Sequence, residues 1–479
     1  MFYGNQAQFD RRTFLARGGQ TAAFGGIASY ATGLTAIGQA AAFSNASDYK
    51  ALVCVFLKGG NDHGNTLIPI DATNYARYAA IRGGDGEGGG GIALARAALA
   101  NTVLKAPEGQ TLTDDLQYAL APTMPRLKAL YDKGAMAPML NVGPLVAPLT
   151  KAQYESSNHA ANPRPPKLFS HNDQQSIWQS GEPEGATSGW GGKMNDLGRG
   201  LNANPLFTSI TASSNEVFLA GDATTAYTVS ANGAVEMRPV TQGLYRSADA
   251  GDALRQLVTS SRTHVLEADY TRMAKRSLDA QAFVSNALAP VQISTSFNDP
   301  AGTNRLASQL KIVARLIGAR QALGVKRQIF VVTTGGFDTH DHLMSKHGGL
   351  LGGIDFALDA FYRATVELGV ANNVTAFTAS DFGRTLSSNG DGSDHGWGSH
   401  HFVVGGGVAG GRVYGTAPQV SIESDDQVGR GRLLPGMAVD QLASTLALWF
   451  GVSPSELQGV LPNIGRFDGA DLGFMKPTL

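Results

Sequence analysis

Residues 329–349 and 374–401 decide the fold of this chain; they read IFVVTTGGFDTHDHLMSKHGG and VTAFTASDFGRTLSSNGDGSDHGWGSHH. Each stretch begins with an apolar, β-branched run and passes through glycine or serine into an aspartate, Asp338 in the first and Asp381 in the second. Buried parallel strands have this composition, and open α/β sheets bind ligands where such strands end. The sequence therefore predicts parallel strands that bring two carboxylates to one edge of a sheet.

The same region is rich in histidine. Six of the ten histidines of the chain lie between residues 329 and 401, beside Asp338, Asp341, Asp381 and Asp394. Histidine and aspartate on loops after adjacent strands are the donors of a divalent metal site. This mixture of nitrogen and oxygen donors suits Zn, Mn, Mg or Ca, and only one cysteine is present in the chain.

A third strand of the same design is predicted over residues 51–57, and it runs into Gly59, Gly60 and Asp62. The glycines allow the backbone to approach a ligand closely, and Asp62 can bind a metal. An aspartate in this place can equally cap a turn. The sequence motif alone does not decide whether Asp62 binds a metal or caps a turn.

Residues 167–175, KLFSHNDQQ, place Ser170 at the start of a predicted helix. The free N–H groups and the dipole of a helix N-terminus stabilise an alkoxide or bind an anion. An ordinary N-cap serine explains the same pattern, and it is favoured until other evidence enters.

The first 42 residues have the pattern of a twin-arginine (Tat) signal peptide. The motif RRTFL at 11–15 precedes a weakly apolar segment at 18–37, and AAA at 40–42 offers a cleavage site. This predicts export by the Tat translocase to the periplasm or beyond. The apolar segment is too rich in glycine for a stable membrane anchor.

Composition narrows the function classes. The chain has 479 residues and a formal net charge of −1, which gives no indication of nucleic-acid or anionic-membrane binding. The single cysteine, Cys54, excludes a disulfide within the chain. We expect one α/β domain over residues 43–479, in which residues 201–300 form a cap or insertion.

Hydrophobic periodicity predicts the elements that surround these motifs. Exposed strands are expected in the middle of the chain, at 205–219 and 226–240. Helices are expected at 114–132, 252–288, 305–323, 350–368 and 440–450. A further strand at 137–142 and a short one at 402–404 complete the prediction.

Six motifs in order carry a resemblance to a known family: FLKGGNDHGNTLIP, LFSHNDQQSIWQSGEP, GGFDTH, SDFGRT, SDHGWG and GGGVAGGRVYG. With the twin-arginine leader, they resemble the exported bacterial domain-of-unknown-function family 1501. That family looks related to the alkaline phosphatase and sulfatase superfamily. The resemblance implies an α/β/α sandwich with a mixed, mostly parallel sheet, one or two divalent metals at the strand ends and a nucleophile at a helix start.

The resemblance also implies roles for individual residues. Ser170 lies where the nucleophile is expected, and Thr66 is a second candidate because it too follows a strand-end aspartate. Asp381 is followed by phenylalanine rather than by the usual histidine, so one metal can be weakly held, replaced or absent. Arg384 is the candidate that would replace it as a cation gripping an anionic group. The implied metal ligands are Asp62, Asp338, His340 or His342, Asp381, and His395 or His400.

Two functional hypotheses follow. The first is an exported metal-dependent hydrolase of phosphate or sulfate esters, acting on a small anionic ester. The second is an exported binding or surface-assembly protein that keeps the fold without catalysis. The missing histidine after Asp381 favours the second hypothesis. The density of aspartate and histidine favours the first, since buried unpaired carboxylates are costly.

Overall fold

The computed structural model describes residues 48–84 and 91–477, which form eleven strands and thirteen α-helices. The strands are β1 (Lys50–Leu57), β2 (Leu67–Pro69), β3 (Tyr118–Leu120), β4 (Met136–Gly143), β5 (Ser209–Thr211), β6 (Tyr227–Ser230), β7 (Gly233–Ala234), β8 (Arg327–Thr334), β9 (Val374–Ser380), β10 (Ser399–Gly405) and β11 (Met437–Ala438). The helices are α1 (Ala72–Ile81), α2 (Pro125–Asp132), α3 (Lys151–Glu155), α4 (His171–Ser180), α5 (Trp190–Gly198), α6 (Arg238–Thr241), α7 (Ala248–Thr259), α8 (Val265–Leu288), α9 (Arg305–Gly318), α10 (Arg320–Leu323), α11 (Leu343–Glu367), α12 (Val439–Phe450) and α13 (Leu457–Val460).

The three apolar runs seen in the sequence form the centre of the main sheet. β1 lies between β8 and β9 and is parallel to both. Every residue of β1 and β9 is buried. Because both faces of these strands are covered, they read as continuous apolar runs and not as an alternating pattern. All three strands end at the same edge, as predicted.

The main sheet has nine strands in the order β11-β4-β10-β9-β1-β8-β5-β6-β7. Five of its strand pairs are parallel, and the three antiparallel ones are β4 with β10, β10 with β9, and β6 with β7. The predicted fold class, a mixed and mostly parallel sheet between helices, is confirmed.

Helices cover both faces of this sheet. On one face Val53 and Val55 of β1 pack into a core with Leu310 of α9 and Leu358 of α11. On the other face Cys54 of β1 belongs to a separate core built from α4, α5 and α12. The alternation of β1 side chains between two helical layers is the packing of an α/β/α sandwich.

The structure corrects two local predictions. The helix expected over residues 114–132 is helical only in α2, because residues 118–120 pair with β2 as strand β3. The long exposed strands expected over 205–240 are three short ones, β5, β6 and β7. The predicted cap or insertion thus adds these strands to one end of the sheet, followed by α6, α7 and α8.

The predicted Tat signal, residues 1–42, lies outside the described residues. Within the described part of the chain, no helix combines the length and the apolar character needed to cross a bilayer.

Candidate metal centre

Three segments meet at the edge where β1, β8 and β9 end. Asp338 lies on the loop after β8, Asp381 follows β9 directly, and His171 is the first residue of α4. Gly59, just after β1, has φ +115°, and a Cβ there would lie 2.4 Å from the backbone nitrogen of Asp338. Only glycine allows the β1 and β8 loops to approach this closely. The sequence predicted that Gly59 lets the backbone approach a ligand. In the structure it lets the β1 and β8 loops approach each other.

Asp338 and three histidines, His171, His340 and His395, form what we call the open histidine cluster. Oδ1 of Asp338 lies 3.1 Å from Nε2 of His340 and 3.3 Å from Nε2 of His395. The two Nε2 atoms are 2.9 Å apart. Nε2 of His171 lies 3.6 Å from Oδ2 of Asp338. Three imidazole nitrogens thus converge on one carboxylate.

Each histidine of the open cluster is held through its other ring nitrogen. Nδ1 of His171 lies 2.6 Å from Oδ2 of Asp381. Nδ1 of His395 lies 2.9 Å from the carbonyl oxygen of Phe169, and Nδ1 of His340 lies 3.4 Å from Oδ1 of Asp394. Hydrogen bonds of this kind orient metal-ligating histidines and leave Nε2 as the ligand atom.

Asp381 is fully buried and holds the cluster in place through its contact with His171. Its Oδ2 accepts hydrogen bonds from the backbone N–H of Gly59 (3.1 Å) and the amide of Gln175 (3.0 Å), besides its contact with His171. Its Oδ1 is also buried and has no hydrogen-bond partner among the described residues. A buried carboxylate oxygen in this state is suited to a water molecule or a cation.

The charges of the site are balanced within the protein. Partial burial alone would raise the pKa of Asp338, but the guanidinium of Arg384, 2.9 Å from Oδ1, holds it below the usual range. The hydrogen bond to Asp381 raises the pKa of His171. Burial lowers the pKa of His395. A neutral His395 beside an ionised Asp338 has the protonation states that a metal ligand needs.

Arg384 is fully buried, and the N–H groups of its guanidinium donate to other groups of the protein. It donates to Asp338, to the carbonyl oxygen of Gly59 at 2.9 Å, and to the carbonyl oxygen of Ser393. The structure therefore places this arginine behind Asp338 and not on the open side where a substrate would lie. Its positive charge remains close to the cluster.

The donor set fits one divalent ion. Ligand atoms of His171, Asp338 and His395 all lie within 4.8 Å of one another, and Nε2 of His340 lies close to the ligand atoms of Asp338 and His395. Imidazole nitrogens with one carboxylate are typical of zinc, and of manganese with added waters. A fully oxygen-coordinated Mg or Ca site is a poorer match to three histidines.

Besides Asp381, three predicted ligands lie outside the open cluster. Asp62 is buried, and its Oδ2 accepts hydrogen bonds from Arg82 (2.9 Å) and Ser393 (2.6 Å). Burial would raise the pKa of Asp62, but Arg82 holds it well below its usual range. His342 is exposed and contacts Asp391 at 2.8 Å. His400 is buried, and its Nδ1 accepts from the backbone N–H of Asn141.

Asp62 also fills the alternative role that its motif left open. Its Oδ1 accepts the backbone N–H of Asn65 at 2.8 Å, which caps the 3₁₀ turn His63–Asn65 after β1. A carboxylate that satisfies a turn and a buried arginine has a complete structural explanation.

The two candidate nucleophiles differ in access. Ser170 occupies the N-cap of α4 and is half-buried, and its hydroxyl donates to Oδ2 of Asp173 at 2.8 Å instead of capping the backbone. Thr66 is fully buried, and its hydroxyl donates to the carbonyl oxygen of Asp62 at 2.7 Å. Of the two, only Ser170 adjoins the open cluster in sequence, through His171.

Sequence reasoning missed His171. It was visible in the motif LFSHNDQQ, directly after the serine to which a role was given. The available signal was spacing, since His171 and Gln175 are one helical turn apart and so lie on the same face of α4. Both side chains contact Asp381 in the structure.

The family is shown by its sequence model. The model described as "Protein of unknown function (DUF1501)" matches residues 49–457. The chain belongs to the DUF1501 family. No curated protein is similar enough in sequence to match it.

Solved structures similar to this DUF1501 member include sulfatases and a phosphatase, as the sequence motifs indicated. PsFucS1 sulfatase from Pseudoalteromonas sp. is 9% identical, with 90% of this chain and 74% of that chain covered and a TM-score of 0.35. Ps i-CgsB in complex with k-i-k-neocarrahexaose is also 9% identical, with coverages of 88% and 78% and a TM-score of 0.36. Alkaline phosphatase from the Antarctic bacterium TAB5 is 10% identical, with coverages of 75% and 93% and a TM-score of 0.29. At these identities and TM-scores, the three structures assign neither a substrate nor a residue role to this chain.

Proposed function

We propose that this DUF1501 member is an exported metal-dependent hydrolase of phosphate or sulfate esters. The open histidine cluster is the observation that carries the proposal. Three Nε2 atoms face one carboxylate at the end of the central strands, and each ring is anchored through Nδ1. Side chains that only fill space do not need this double arrangement.

One divalent ion held by His171, His340, His395 and Asp338 would polarise an ester oxygen and favour the ionised form of an attacking hydroxyl or water. The chain's own residues supply the remaining functions. Arg384 fixes the Asp338 carboxylate and balances its charge. The side chains of His340 and Asp338 are 40% and 46% exposed, so a substrate can reach the cluster.

Ser170 is the better of the two hydroxyl nucleophiles in this proposal. It is half-buried at the helix start beside His171, whereas Thr66 is sealed in the interior. Attack requires the hydroxyl to lose its proton, and Oδ2 of Asp173 is the acceptor in contact with it.

The test combines metal loading with an ester screen. The mature protein, loaded with Zn or Mn, would be assayed on aryl phosphates and aryl sulfates. We expect turnover in the parent and a loss of at least about a hundredfold in kcat for Ser170→Ala, the scale of removing a catalytic group. Thr66→Ala is the matched control and should keep kcat. Turnover of no ester by the metal-loaded parent would contradict the hydrolase proposal.

A second function, that of an exported binding or surface-assembly protein, is favoured by one observation. Burial alone would raise the pKa of Asp173, but hydrogen bonds from Ser170 and Lys167 hold it below its usual range, so this carboxylate is a weak base. A serine paired with a weak base is poorly activated for attack. Metal binding without turnover would support this second function.

Export by the Tat pathway belongs to the same proposal and rests on the sequence of residues 1–42. Replacing Arg11 and Arg12 with lysine in the full-length chain should stop its appearance in the periplasm. Unchanged export of that variant would contradict Tat transport.

A further inference from the structure

Two segments of the chain contact His395 of the open histidine cluster. Residues 144–170 precede α4, and residues 425–434 precede β11. Both loops contact His395: the carbonyl oxygen of Phe169 lies 2.9 Å from its Nδ1, and Nε of Arg432 donates to its carbonyl oxygen at 2.9 Å. Leu168 and Phe169 of the first loop and Val428 of the second pack against the same small hydrophobic core, which includes Trp397. We call these two loops the rim; both contact His395, which is one of the candidate metal ligands.

Arg432 is the notable side chain of this rim. It is half-buried, and its guanidinium lies over the ring of Phe169 at 5.0 Å from the centroid. Among the described residues, its side chain donates to the carbonyl oxygen of His395 and, at 3.5 Å, to that of Gly429 alone. No carboxylate of a described residue lies within 4.0 Å of it. One edge of its planar fork of N–H groups is thus left for another acceptor.

Two other cations of the rim, Arg430 and Lys167, differ from Arg432 because each contacts a carboxylate. Arg430 contacts Asp394 at 2.6 Å, and Lys167 contacts Asp173 at 3.2 Å. The guanidinium of Arg432 is half-buried, so an anion placed against it would offset the cost of removing this charge from water.

We propose that Arg432, with the Phe169 ring beside it, binds a second anionic group of the substrate, so that the preferred substrates are esters in which a ring carries a further carboxylate, sulfate or phosphate. This inference rests on the proposed hydrolase function, since it concerns the substrate of the same site. The ring of such a substrate would lie against Phe169 and its second anion against the free edge of the guanidinium. The scissile ester would then reach the open cluster, because Arg432 and Phe169 both contact His395 directly.

Arg432 also has a structural role, because it holds the backbone of His395. A purely structural role and a substrate-binding role make different predictions. Loss of the backbone contact would disturb His395 and slow the hydrolysis of every ester alike. Loss of an anion-binding group would slow only the esters that carry the second anion.

The test compares two esters that differ only in that anion, 4-carboxyphenyl phosphate and 4-methylphenyl phosphate, or the matching sulfates. We expect Arg432→Gln to lower kcat/KM for the carboxy ester by about tenfold to a hundredfold more than for the methyl ester, the scale of a charge-assisted hydrogen bond. Arg432→Lys keeps the charge and should lie between the two. Arg262→Gln removes the same charge from an exposed loop between α7 and α8 and should affect neither ester. Equal losses on both esters would overturn the proposal and leave Arg432 with its structural role.

Calorimetry separates this proposal from the hydrolase proposal. The probes are 4-sulfobenzoate and 4-methylbenzenesulfonate, which contain no ester and differ by one carboxylate. The metal-loaded parent should prefer the dianion, and Arg432→Gln should lose that preference. If the parent hydrolyses no ester but shows this preference, the hydrolase proposal fails and the anion subsite stands. Equal binding of both probes by the parent would contradict the subsite, whatever the result of the ester assay.

Discussion

Two groups of histidines lie near the same edge of the sheet, and they differ in almost every physical respect. The open histidine cluster is partly exposed, and its ring nitrogens face one carboxylate. A second group, which we call the buried histidine group, consists of His63, His347, His400 and His401. None of these four is more than 4% exposed.

The buried histidine group is bound by packing and by neutral hydrogen bonds. The rings of His63 and His400 meet edge to face with centroids 5.1 Å apart. Nε2 of His347 lies 3.0 Å from Oδ1 of Asn61, and Nδ1 of His401 lies 3.3 Å from the hydroxyl of Thr378. Burial lowers the pKa of His63 and His347 to about 4 and that of His401 to about 3. These histidines therefore remain neutral near pH 7.

The comparison shows why composition alone could not select the ligands. His395 and His400 stand five residues apart and both have Nδ1 in a hydrogen bond, but only His395 directs its Nε2 at Asp338. Convergence on a shared carboxylate therefore distinguishes the candidate ligands from the core histidines. Each of the following predictions tests that distinction, from the largest expected effect to the smallest.

Removing a ligand of the open cluster should abolish stoichiometric metal binding. We expect Asp338→Ala and His395→Ala to lose the ion during dialysis, because each substitution removes one of the four protein ligands of a tetrahedral site. The measurement is metal content after dialysis. The control is His342→Ala, a histidine from the same sequence motif that lies outside the cluster. Equal metal loss in His342→Ala would show that a histidine outside the cluster matters as much for metal binding as one inside it.

Asp62→Asn should damage stability and spare the metal. The substitution leaves Arg82 buried without its carboxylate, which costs about 3–5 kcal/mol of unfolding free energy. Denaturant unfolding measures this loss, and metal titration should show unchanged affinity. Asp391→Asn makes the same chemical change at an exposed site and should alter neither quantity. Loss of the ion in Asp62→Asn would show that Asp62 is a metal ligand after all.

Weakening an anchor should reduce metal affinity without abolishing it. In Asp394→Asn the side chain 3.4 Å from Nδ1 of His340 loses its charge. Changes in such outer partners typically cost about tenfold to a hundredfold in affinity. Competition titration with a chromogenic chelator gives the value. Asp391→Asn again serves as the control, because Asp391 contacts His342 outside the cluster; an affinity equal to that of the control would show that anchoring has no effect.

The buried histidine group should make the metal-free protein less stable at pH 5 than at pH 7. Unfolded histidine has a pKa of about 6.5, so between about pH 4 and 6.5 the unfolded chain binds protons that the folded chain does not. The free energy of unfolding therefore rises with pH through this window. Burial raises the pKa of Asp355 and Asp440 to about 6, which opposes the trend, but the four histidines outnumber these two carboxyls.

Thermal melts with a chelator present measure this pH dependence. His347→Gln keeps an amide donor for Asn61 and removes one titrating group, so its melting temperature should depend less on pH. His342→Gln, which changes an exposed histidine, should retain the slope of the parent. A parent that is equally stable at pH 5 and pH 7 would mean that the buried histidines do not remain neutral.

The sequence predicted the central strands, and it named three of the four residues that the structure brings together in the open cluster, because both follow local pattern. Continuous apolar runs followed by glycine and aspartate can hardly form anything other than buried strands with polar ends, and β1, β8 and β9 follow this rule. The region over residues 114–132 was mispredicted because its leucines also fit a helical period, while pairing with β2 decided the strand. Long-range pairing of this kind is not encoded in local periodicity.

The same reasoning explains the gaps in the predicted site. Asp62 and His400 have the residue types of ligands, and only their partners, Arg82 and the backbone of Asn141, reveal their structural roles. His171 joins the cluster from α4, about 170 residues before Asp338 in the chain. Nothing local marks that contact, because it depends on how α4 docks against the ends of β1 and β9.

The central claim is that the open histidine cluster holds one divalent ion through imidazole. X-ray absorption spectroscopy of the zinc-loaded mature protein tests this claim most directly. We predict one ion per chain with imidazole nitrogens at about 2.0–2.1 Å, and loss of that signal in His171→Ala. A protein that takes up no ion, or an ion surrounded by oxygen atoms alone, would contradict the account.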